Sequence, residues 1–359
     1  MTEEYYLASM WKLMWRKFKK HKLATVGVTI LAILYIALLF CEFFSTMNPT
    51  QRTNNLYAPP QRIRFISDEG FQLRPFVYGF TKSIDDDTWK RVYEIDKAKK
   101  YKIFFFTRGT EYKMWGLFKT DIHIIGVKEG HLHLLGTDGL GRDMYSRIIY
   151  STRISLSIGL ISVAMSFILG CILGGISGYY GGAIDTFIQR LIEFLKAIPT
   201  LPLWMALSVA MPPSWSPLMV YFCILMILAL KGWTSLARTV RGKLLELRET
   251  DFVMAAKVCG TSDRAILTRH LLPSFMSYLI VNITLTIPNV ILGETALSYL
   301  GLGLRPPVIS WGVLMKNAQN VETIGLYPWL MIPVLFVIVS VLAFNFVGDG
   351  LRDAADPYK

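Results

Sequence analysis

The sequence predicts an integral membrane protein: an all-α membrane protein with six transmembrane helices, and a small α+β insertion between the first two of them. Of the 359 residues, 53% are hydrophobic, and the mean hydropathy is +0.40. Only 18% of the residues are charged, whereas soluble domains contain about a quarter. Long apolar runs follow one another along the chain, and one polar stretch, residues 45–150, interrupts them. Together these features exclude an ordinary soluble domain.

The first apolar run, residues 23–41, is uncharged and long enough to cross a bilayer. Aromatic residues at helical spacing alternate with the basic residues that precede it. These basic residues are Lys12, Arg16, Lys17, Lys19, Lys20 and Lys22. Because cytoplasmic flanks are rich in Lys and Arg, residues 1–22 are predicted to be a cytoplasmic amphipathic helix, and residues 23–44 the first membrane helix.

Residues 45–150 are predicted to form the extracytoplasmic insertion. They contain none of the four cysteines, so no disulfide framework holds them together. A charged stretch around residues 87–100 favours a helix. Strand-like pieces alternate with it, at residues 76–78, 101–107, 123–127 and 131–135. The basic residues here do not oppose an external location, since long translocated loops are exempt from the charge rule.

Residues 151–350 are predicted to hold the other five membrane helices, and residues 351–359 a cytoplasmic tail. The run 154–184 favours one tilted helix that ends in a glycine-rich turn at 179–182. Gly170 and Gly174 give this helix a face of small residues for close packing. The remaining spans are predicted at residues 194–211, 218–234, 275–297 and 327–347.

Residues 238–273, between the fourth and fifth spans, are rich in Lys and Arg, which is typical of a cytoplasmic loop. Residues 248–259 favour a helix, and Gly260 a turn that ends it. A second helix is predicted up to Leu272, with Pro273 at the start of the next span. Ala255, Ala256 and Cys259 share one face of the first helix. We interpret this loop as a docking element for a partner protein.

The spacing within this loop resembles a known family. Ala255-Ala256, three residues, Gly260, nine residues and then His270-Leu-Leu-Pro is similar to the EAA loop of the membrane subunits of bacterial ABC importers. Met254 stands where that motif usually has Glu, and His270 where it usually has Ile. The sequence RHLLP is common at this point in the C-type permeases of dipeptide and oligopeptide importers. Residues 134–159, 296–312 and 343–357 resemble the same branch.

The resemblance implies the fold of a type I ABC importer permease in the bacterial inner membrane. It implies a translocation path for peptides, no enzymatic activity and no cofactor bound by this chain, with ATP hydrolysed by partner subunits. The implied partners are a second homologous permease, two cytoplasmic ABC ATPases, an extracytoplasmic solute-binding protein and membrane lipid. Relatives in the same class carry oligosaccharides, opines or nickel, and these cargoes stay open as alternatives.

Two sets of candidate site residues follow. The residues expected to couple to the ATPases are Asp251, Ala255, Ala256, Gly260, Arg264, His270, Leu272 and Pro273. The residues expected along the translocation path are Asn282, Asn289 and Glu294, because polar groups inside a span are costly and normally face protein or water. Two alternatives remain: Glu294 as an interfacial acid near Arg305, and the asparagines as part of a helix kink.

Other chemistry is less well supported by the residues. The sequence contains no G-x-x-x-x-G-K-[ST] motif, and the glycine-rich segment 136–143 lacks its Lys, so we interpret that segment as a turn. Zinc sites usually need three or four ligands, and His131 and His133, with His123 nearby, have no evident Cys or close acidic partner, so they are interpreted as polar residues of a strand. Scattered basic residues beside apolar runs do not indicate nucleic-acid binding.

Two other classes of function are alternatives to an importer subunit. A membrane receptor would use the insertion to bind a ligand and residues 248–273 to recruit a signalling protein, without an ATPase partner. An intramembrane enzyme would need paired catalytic groups at one depth, and the sequence offers only Glu294.

Overall fold

The computed structural model describes residues 10–68, 70–84 and 91–355. Helices α1 to α3 come first, then four strands, then the remaining helices. The elements before the insertion are α1 (Met10–Lys20), α2 (Lys22–Leu39) and α3 (Cys41–Phe44). The strands are β1 (Arg64–Ser67), β2 (Gly70–Ile84), β3 (Arg91–Met114) and β4 (Phe118–Val127).

After the strands the described chain is helical. The helices are α4 (Met144–Tyr180), α5 (Gly182–Ala197), α6 (Thr200–Val209), α7 (Pro217–Leu247), α8 (Asp251–Val258), α9 (Asp263–Ala265), a π-helix (Ile266–Leu271), α10 (Leu272–Ser274), α11 (Met276–Tyr299), α12 (Trp311–Lys316), α13 (Val321–Leu326), a 3₁₀ helix (Pro328–Met331) and α14 (Ile332–Ala355).

The chain forms two compact units. The first contains Ser157–Leu297, together with residues 10–32 and 338–355. The second contains Ile33–Leu156 and Ser298–Val337. The loop that resembles the EAA motif lies in the first unit, and the strands lie in the second.

Among the described residues, five helices are long and apolar enough to cross a membrane. They are Lys22–Leu39, Met144–Tyr180, Pro217–Leu247, Met276–Tyr299 and Pro328–Ala355. A sixth crossing is present only if α5 and α6, bent by 85° at the break between them, are taken as one span. The predicted membrane fold is thus confirmed as five to six apolar helices.

The predicted third span, residues 194–211, is not one straight helix. The break falls at Ile198, whose ψ of 127° is extended, and at Pro199, which precedes α6. A proline disfavours the helical conformation of the residue before it and has no N–H to donate. Pro199 therefore interrupts the helix within the apolar run and accounts for the bend between α5 and α6.

Helix α4 starts well before the apolar run that predicted it. The Ser146 N–H donates to Asp143 Oδ2 at 2.8 Å, which is the bond that a capping aspartate makes at a helix N-terminus. The helix ends at Tyr180, and Gly181 follows with φ of 68°. The predicted glycine turn is confirmed. The predicted start of the helix at residue 154 is wrong, because the capping aspartate, and not the hydrophobic run, determines where α4 begins.

Helices α4 and α7 pack closely along a stripe of glycines in the first unit. A Cβ atom at Gly174 would lie 2.5 Å from the Ala237 carbonyl oxygen, and one at Gly178 would lie 2.9 Å from the Arg241 carbonyl oxygen. Backbones can approach this closely only where side chains are absent. The small-residue face predicted from the sequence is the contact between these two helices.

The strands form one antiparallel sheet in the order β1-β2-β3-β4. Phe76 pairs with Lys102 between β2 and β3, and Ile103 pairs with Val127 between β3 and β4. Three of the predicted strands, at residues 76–78, 101–107 and 123–127, fall within β2, β3 and β4 and are confirmed.

Two predictions for the insertion are wrong. Of the predicted helix at 87–100, residues 91–100 belong to β3, and residues 87–90 lie outside the described residues. Residues 131–135 form no strand. The charges of β3 lie mostly on an exposed ribbon paired with β2, as where Thr81 pairs with Glu94. Charge density alone does not distinguish such a ribbon from a solvated helix.

Candidate functional site

Helix α8 opens the loop between α7 and α11, and it ends in a defined backbone turn. Gly260 has φ of 73°, the left-handed conformation that glycine adopts at little cost. The Gly260 N–H donates to the Lys257 carbonyl at 3.0 Å, and the Thr261 N–H donates to the Ala256 carbonyl at 3.1 Å. This pair of bonds defines a Schellman motif. The turn predicted at Gly260 is therefore confirmed.

The second half of the loop differs from the continuous α-helix predicted up to Leu272. The short α9 follows the turn, and Ile266–Leu271 then winds as a π-helix before α10 and α11. Single π-helical turns within helices occur frequently at functional sites. The chain therefore passes from the loop into the next membrane helix through a segment of irregular winding.

The inner face of the loop packs against the two membrane helices that flank it. Val253 of α8 and Ile266 and Leu271 of the π-helix are fully buried. They belong to one apolar cluster with Leu244 of α7 and Leu279 of α11. Truncating a buried Leu or Ile to Ala typically costs about 2–5 kcal/mol. The loop is therefore fixed to both helices by its own core.

The outer face of α8 is apolar and exposed. Phe252, Ala255 and Val258 recur every three residues and so share one face of the helix. Phe252 is 45% exposed and Val258 is 87% exposed. Ala256 is instead half-buried and packs against the inner cluster, so the predicted small patch is divided between two faces. Sequence reasoning missed Phe252 and Val258, although their spacing was a usable signal.

Polar contacts brace the loop from the side. The Tyr179 hydroxyl at the end of α4 donates to Asp263 Oδ1 at 2.5 Å, and Lys257 Nζ lies 5.6 Å from the centre of the Tyr179 ring. Tyr179 thus contacts both halves of the loop. Nearby, Arg241 of α7 donates two hydrogen bonds of 2.5 Å to Asp185 of α5. Bidentate pairs of this kind hold a fixed geometry.

A cavity of about 540 Å³ lies between α4, the start of α5 and the second half of the loop. Its lining is largely apolar and includes Cys171, Ile176, Tyr179, Ile184, Leu267 and Leu272. The π-helical segment therefore has open space on its α4 side, whereas Val253 in the first half is fully buried.

The structure places the other predicted coupling residues on one continuous loop. Asp251 is the first residue of α8, directly after the capping position of Thr250. Leu272 is half-buried against the inner cluster. The predicted residues with exposed side chains are Asp251, Ala255, Arg264, His270 and Pro273.

The predicted path residues do not form one surface. Asn282 and Asn289 lie two turns apart in α11 and share a face, with Asn282 half-buried and Asn289 exposed. The Asn289 side-chain amide donates to the Leu285 carbonyl at 3.3 Å. Glu294 is fully buried, and its position is rotated by about 140° from that of Asn289 around the helix. The structure brings the two asparagines together and separates Glu294 from them.

The glycine-rich segment 136–143 is a closed turn. The Asp138 carboxylate accepts hydrogen bonds from the backbone N–H groups of Leu140 at 2.9 Å and Arg142 at 3.0 Å. It also accepts one from Arg142 Nε at 2.8 Å, and Asp138 is almost fully buried. Its interpretation as a turn before α4 is confirmed.

The three histidines occupy different surroundings. His133 is fully buried, with Nδ1 3.3 Å from Asp143 Oδ1, whereas His131 is exposed. His123 in β4 is buried with Nδ1 2.7 Å from the Ser45 carbonyl oxygen. Only His123 lies in a strand, so the strand predicted for the other two is wrong. Among the described residues, no group of three or more His, Cys, Asp or Glu side chains is placed to hold a metal ion.

Two family models match the chain. The model described as the binding-protein-dependent transport system inner membrane component matches residues 136–358. The model described as the N-terminal TM domain of oligopeptide transport permease C matches residues 9–60. The stretch between the two matches, residues 61–135, holds all four strands.

Several curated relatives are similar to this chain. The dipeptide transport permease DppC of Bacillus subtilis is 40% identical over 225 residues, which cover 63% of this chain and 68% of that protein. The oligopeptide transport permease OppC of Haemophilus influenzae is 38% identical over 230 residues, covering 64% and 71%. DppC of Lactococcus lactis subsp. cremoris is 32% identical over 345 residues, covering 96% and 89%.

The matched regions include most of the helical part of the chain. Residues 136–358 contain α4 through α14, with the loop around Gly260, and residues 9–60 contain α1 to α3. The similar proteins are transport permeases and not enzymes, and they do not favour the receptor alternative. The chain therefore belongs to the family of binding-protein-dependent transport system inner membrane components, the multi-pass permease subunits of ABC importers.

Proposed function

We propose that this chain forms the translocation path for di- or oligopeptides through the bacterial inner membrane together with a second, homologous permease. Two cytoplasmic ABC ATPases drive the cycle by moving residues 248–273, and an extracytoplasmic solute-binding protein delivers the cargo. In this proposal the chain itself binds no nucleotide, in line with the missing G-x-x-x-x-G-K-[ST] motif.

The observation that carries the coupling role is the two-sided construction of the loop. Its inner face is buried between α7 and α11, while Phe252 and Val258 on its outer face are exposed and apolar. An exposed apolar patch rimmed by polar residues is typical of a protein interaction site. A force applied to the outer face would reach α11 through Ile266 and Leu271, which are fully buried.

Peptide cargo is supported by the relatives. The permeases named above are described as dipeptide or oligopeptide permeases. The similarity to the Lactococcus lactis protein extends over 96% of this chain, and therefore includes most of the insertion as well as the helices. Nickel, opines and oligosaccharides remain as the alternatives that an uptake assay separates.

The sheet of the insertion is proposed to lie on the extracytoplasmic side, where the binding protein docks. The support is topological: the basic residues before α2 favour a cytoplasmic N-terminus, and the insertion follows α2 directly.

A glycine insertion tests the coupling role. Two glycines inserted after Gly260 loosen the turn without removing either face of the loop. We expect ATP hydrolysis and assembly to continue while peptide uptake falls at least tenfold, because the loop no longer transmits force as a fixed unit. The measurement is uptake and ATPase activity of the whole transporter in proteoliposomes. The matched control inserts two glycines after Ser214, in the exposed turn between α6 and α7; uptake equal in both variants would contradict the proposal.

Cargo is tested by removing the chain from its own cells. Uptake of labelled di- and oligopeptides is expected to be lost and then restored by the wild-type chain, whereas uptake of labelled oligosaccharides, opines and nickel is expected not to change. Loss of one of those uptakes with peptide uptake intact would reject the peptide assignment and keep the importer assignment.

A further inference from the structure

The turn between β3 and β4 lies against the C-terminal end of α2. The Trp115 indole N–H donates to the Leu39 carbonyl at 2.7 Å, and the Trp115 ring lies 5.6 Å from the Phe40 ring. A second contact joins Phe106 of β3 to Phe43, with ring centres 6.1 Å apart. Two independent contacts therefore hold this hairpin at the level of Leu39.

The length of α2 indicates the depth of Leu39 in a bilayer. The helix has 18 residues, and at 1.5 Å per residue it is about 27 Å long. The hydrocarbon core of a bilayer is about 30 Å thick. Leu39 therefore lies near the boundary between the acyl chains and the headgroups, and Trp115 lies beside it. Tryptophan is enriched at this depth in membrane proteins.

The turn presents large apolar side chains outward. Trp115 is 49% exposed, Leu117 is 75% exposed and Phe118 is 62% exposed. The membrane helix next to the turn has an exposed apolar face with a repeat of three residues. That face consists of Ile33, Ile36 and Leu39. The exposed apolar surface of the turn thus continues the exposed surface of a membrane helix, and it would be unfavourable in water.

Positive charge flanks the apolar turn. Lys113 and Lys119 are paired directly opposite each other, next to the Met114–Phe118 pair that closes the turn. Both side chains are exposed. Like charges directly opposite across two strands are destabilising. Anionic headgroup phosphates at this level would neutralise both lysines while their aliphatic stems lie along apolar surface.

The turn holds its tryptophan in a costly backbone conformation. Trp115 has φ of 52° and Gly116 has φ of 75°, and the Leu117 N–H donates to the Met114 carbonyl at 3.0 Å. A residue with a side chain rarely adopts the left-handed region, because its Cβ then crowds the following carbonyl oxygen. This conformation accompanies the indole contact with Leu39.

We propose that the turn formed by residues 115–118 is a membrane anchor. Trp115, Leu117 and Phe118 insert into the boundary between headgroups and acyl chains, and Lys113 and Lys119 bind lipid phosphates. The partner is the bilayer itself. This role is separate from transport, and it does not depend on the cargo or on which side of the membrane the sheet lies.

Spin labelling tests the anchor directly. A nitroxide is attached to Leu117→Cys, and in a second variant to Phe118→Cys, after the four native cysteines have been replaced. The full chain, with the proteins that accompany it, is placed in nanodiscs of phosphatidylethanolamine and phosphatidylglycerol. The matched control is Ile95→Cys, an apolar residue that is also more than half exposed but lies near the other end of β3. Power saturation compares collision with oxygen, which concentrates in hydrocarbon, and with a nickel chelate, which stays in water.

We expect the labels at residues 117 and 118 to collide at least threefold more with oxygen than with the nickel chelate, and the label at residue 95 to show the reverse preference. Collision of both turn labels with the nickel chelate at the level of residue 95 would place the turn in water and overturn the proposal. Protection of both turn labels from both reagents would show that a protein covers them, which would also overturn it.

Discussion

Arg153 and Glu42 form a partly buried ion pair that ties α4 to the residues after α2. Arg153 Nη1 lies 2.6 Å from Glu42 Oε1, and Nη2 lies 2.7 Å from Oε2. We expect Glu42→Ala to lower the unfolding free energy by about 3 kcal/mol, because it leaves a partly buried guanidinium unpaired. The measurement is thermal unfolding of the purified chain in detergent.

The control for this pair is Lys97→Ala. Lys97 Nζ lies 3.0 Å from Asp68 Oδ2, but both side chains are mostly exposed. Exposed ion pairs contribute about 0–1 kcal/mol, so this variant is expected to unfold within about two degrees of the wild type. Equal losses of stability in the two variants would contradict the expectation that the partly buried pair contributes more to stability than the exposed pair.

Single residues differ in how well the sequence predicts them. Gly260 was predictable, because a turn after a helix is a local requirement of the backbone. The exposure of Val258 and the burial of Ala256 were not assigned, since they depend on which side of α8 meets α7 and α11. The angular separation of Glu294 from Asn289 follows from their spacing of five residues and was predictable, whereas the full burial of Glu294 depends on packing around α11.

Because α4 and α7 approach so closely, adding a side-chain atom at Gly174 in α4 is expected to be destabilising. Gly174→Ala would place a Cβ 2.5 Å from the Ala237 carbonyl oxygen and 2.8 Å from its Cα, and backbone atoms cannot move aside cheaply. We expect a loss of about 1–3 kcal/mol, measured as a lower unfolding temperature of the purified chain.

Gly242→Ala is the matched control in α7, since a Cβ there would meet no atom of the described residues within 4 Å. Alanine is favoured over glycine inside helices by about 0.5–1 kcal/mol, so this variant is expected to be as stable as the wild type or more stable. The packing account fails if Gly174→Ala is tolerated as well as Gly242→Ala.

The elements divide by how local their determinants are. The apolar run at residues 23–41 predicted α2, observed at Lys22–Leu39, because burial in lipid needs only length and hydropathy. The strand β3 was missed over residues 91–100, because this charged segment is a strand only through its pairing with β2, which its own sequence does not indicate. The bend between α5 and α6 was missed although Pro199 was visible, because hydropathy was given more weight than proline chemistry.

For the whole molecule, the proposed energy source lies outside this chain. The sequence has no phosphate-binding motif of the G-x-x-x-x-G-K-[ST] type, and the exposed face of α8 is the proposed entry point for force. Purified without its partners, the chain is therefore expected to show no ATP hydrolysis above the background of a mock preparation. Hydrolysis that follows this chain through purification, and that is lost with Glu294→Gln, would contradict the permease account.

A photo-cross-linking residue at position 258 in living cells, followed by mass spectrometry of the captured protein, tests whether residues 248–273 contact an ATPase. Val321 in α13, 85% exposed, serves as the control position. We expect position 258 to capture an ATPase with a P-loop and position 321 not to capture it. Capture of a signalling protein at position 258, or of the ATPase at position 321 alone, would contradict the assignment of residues 248–273 as the coupling loop.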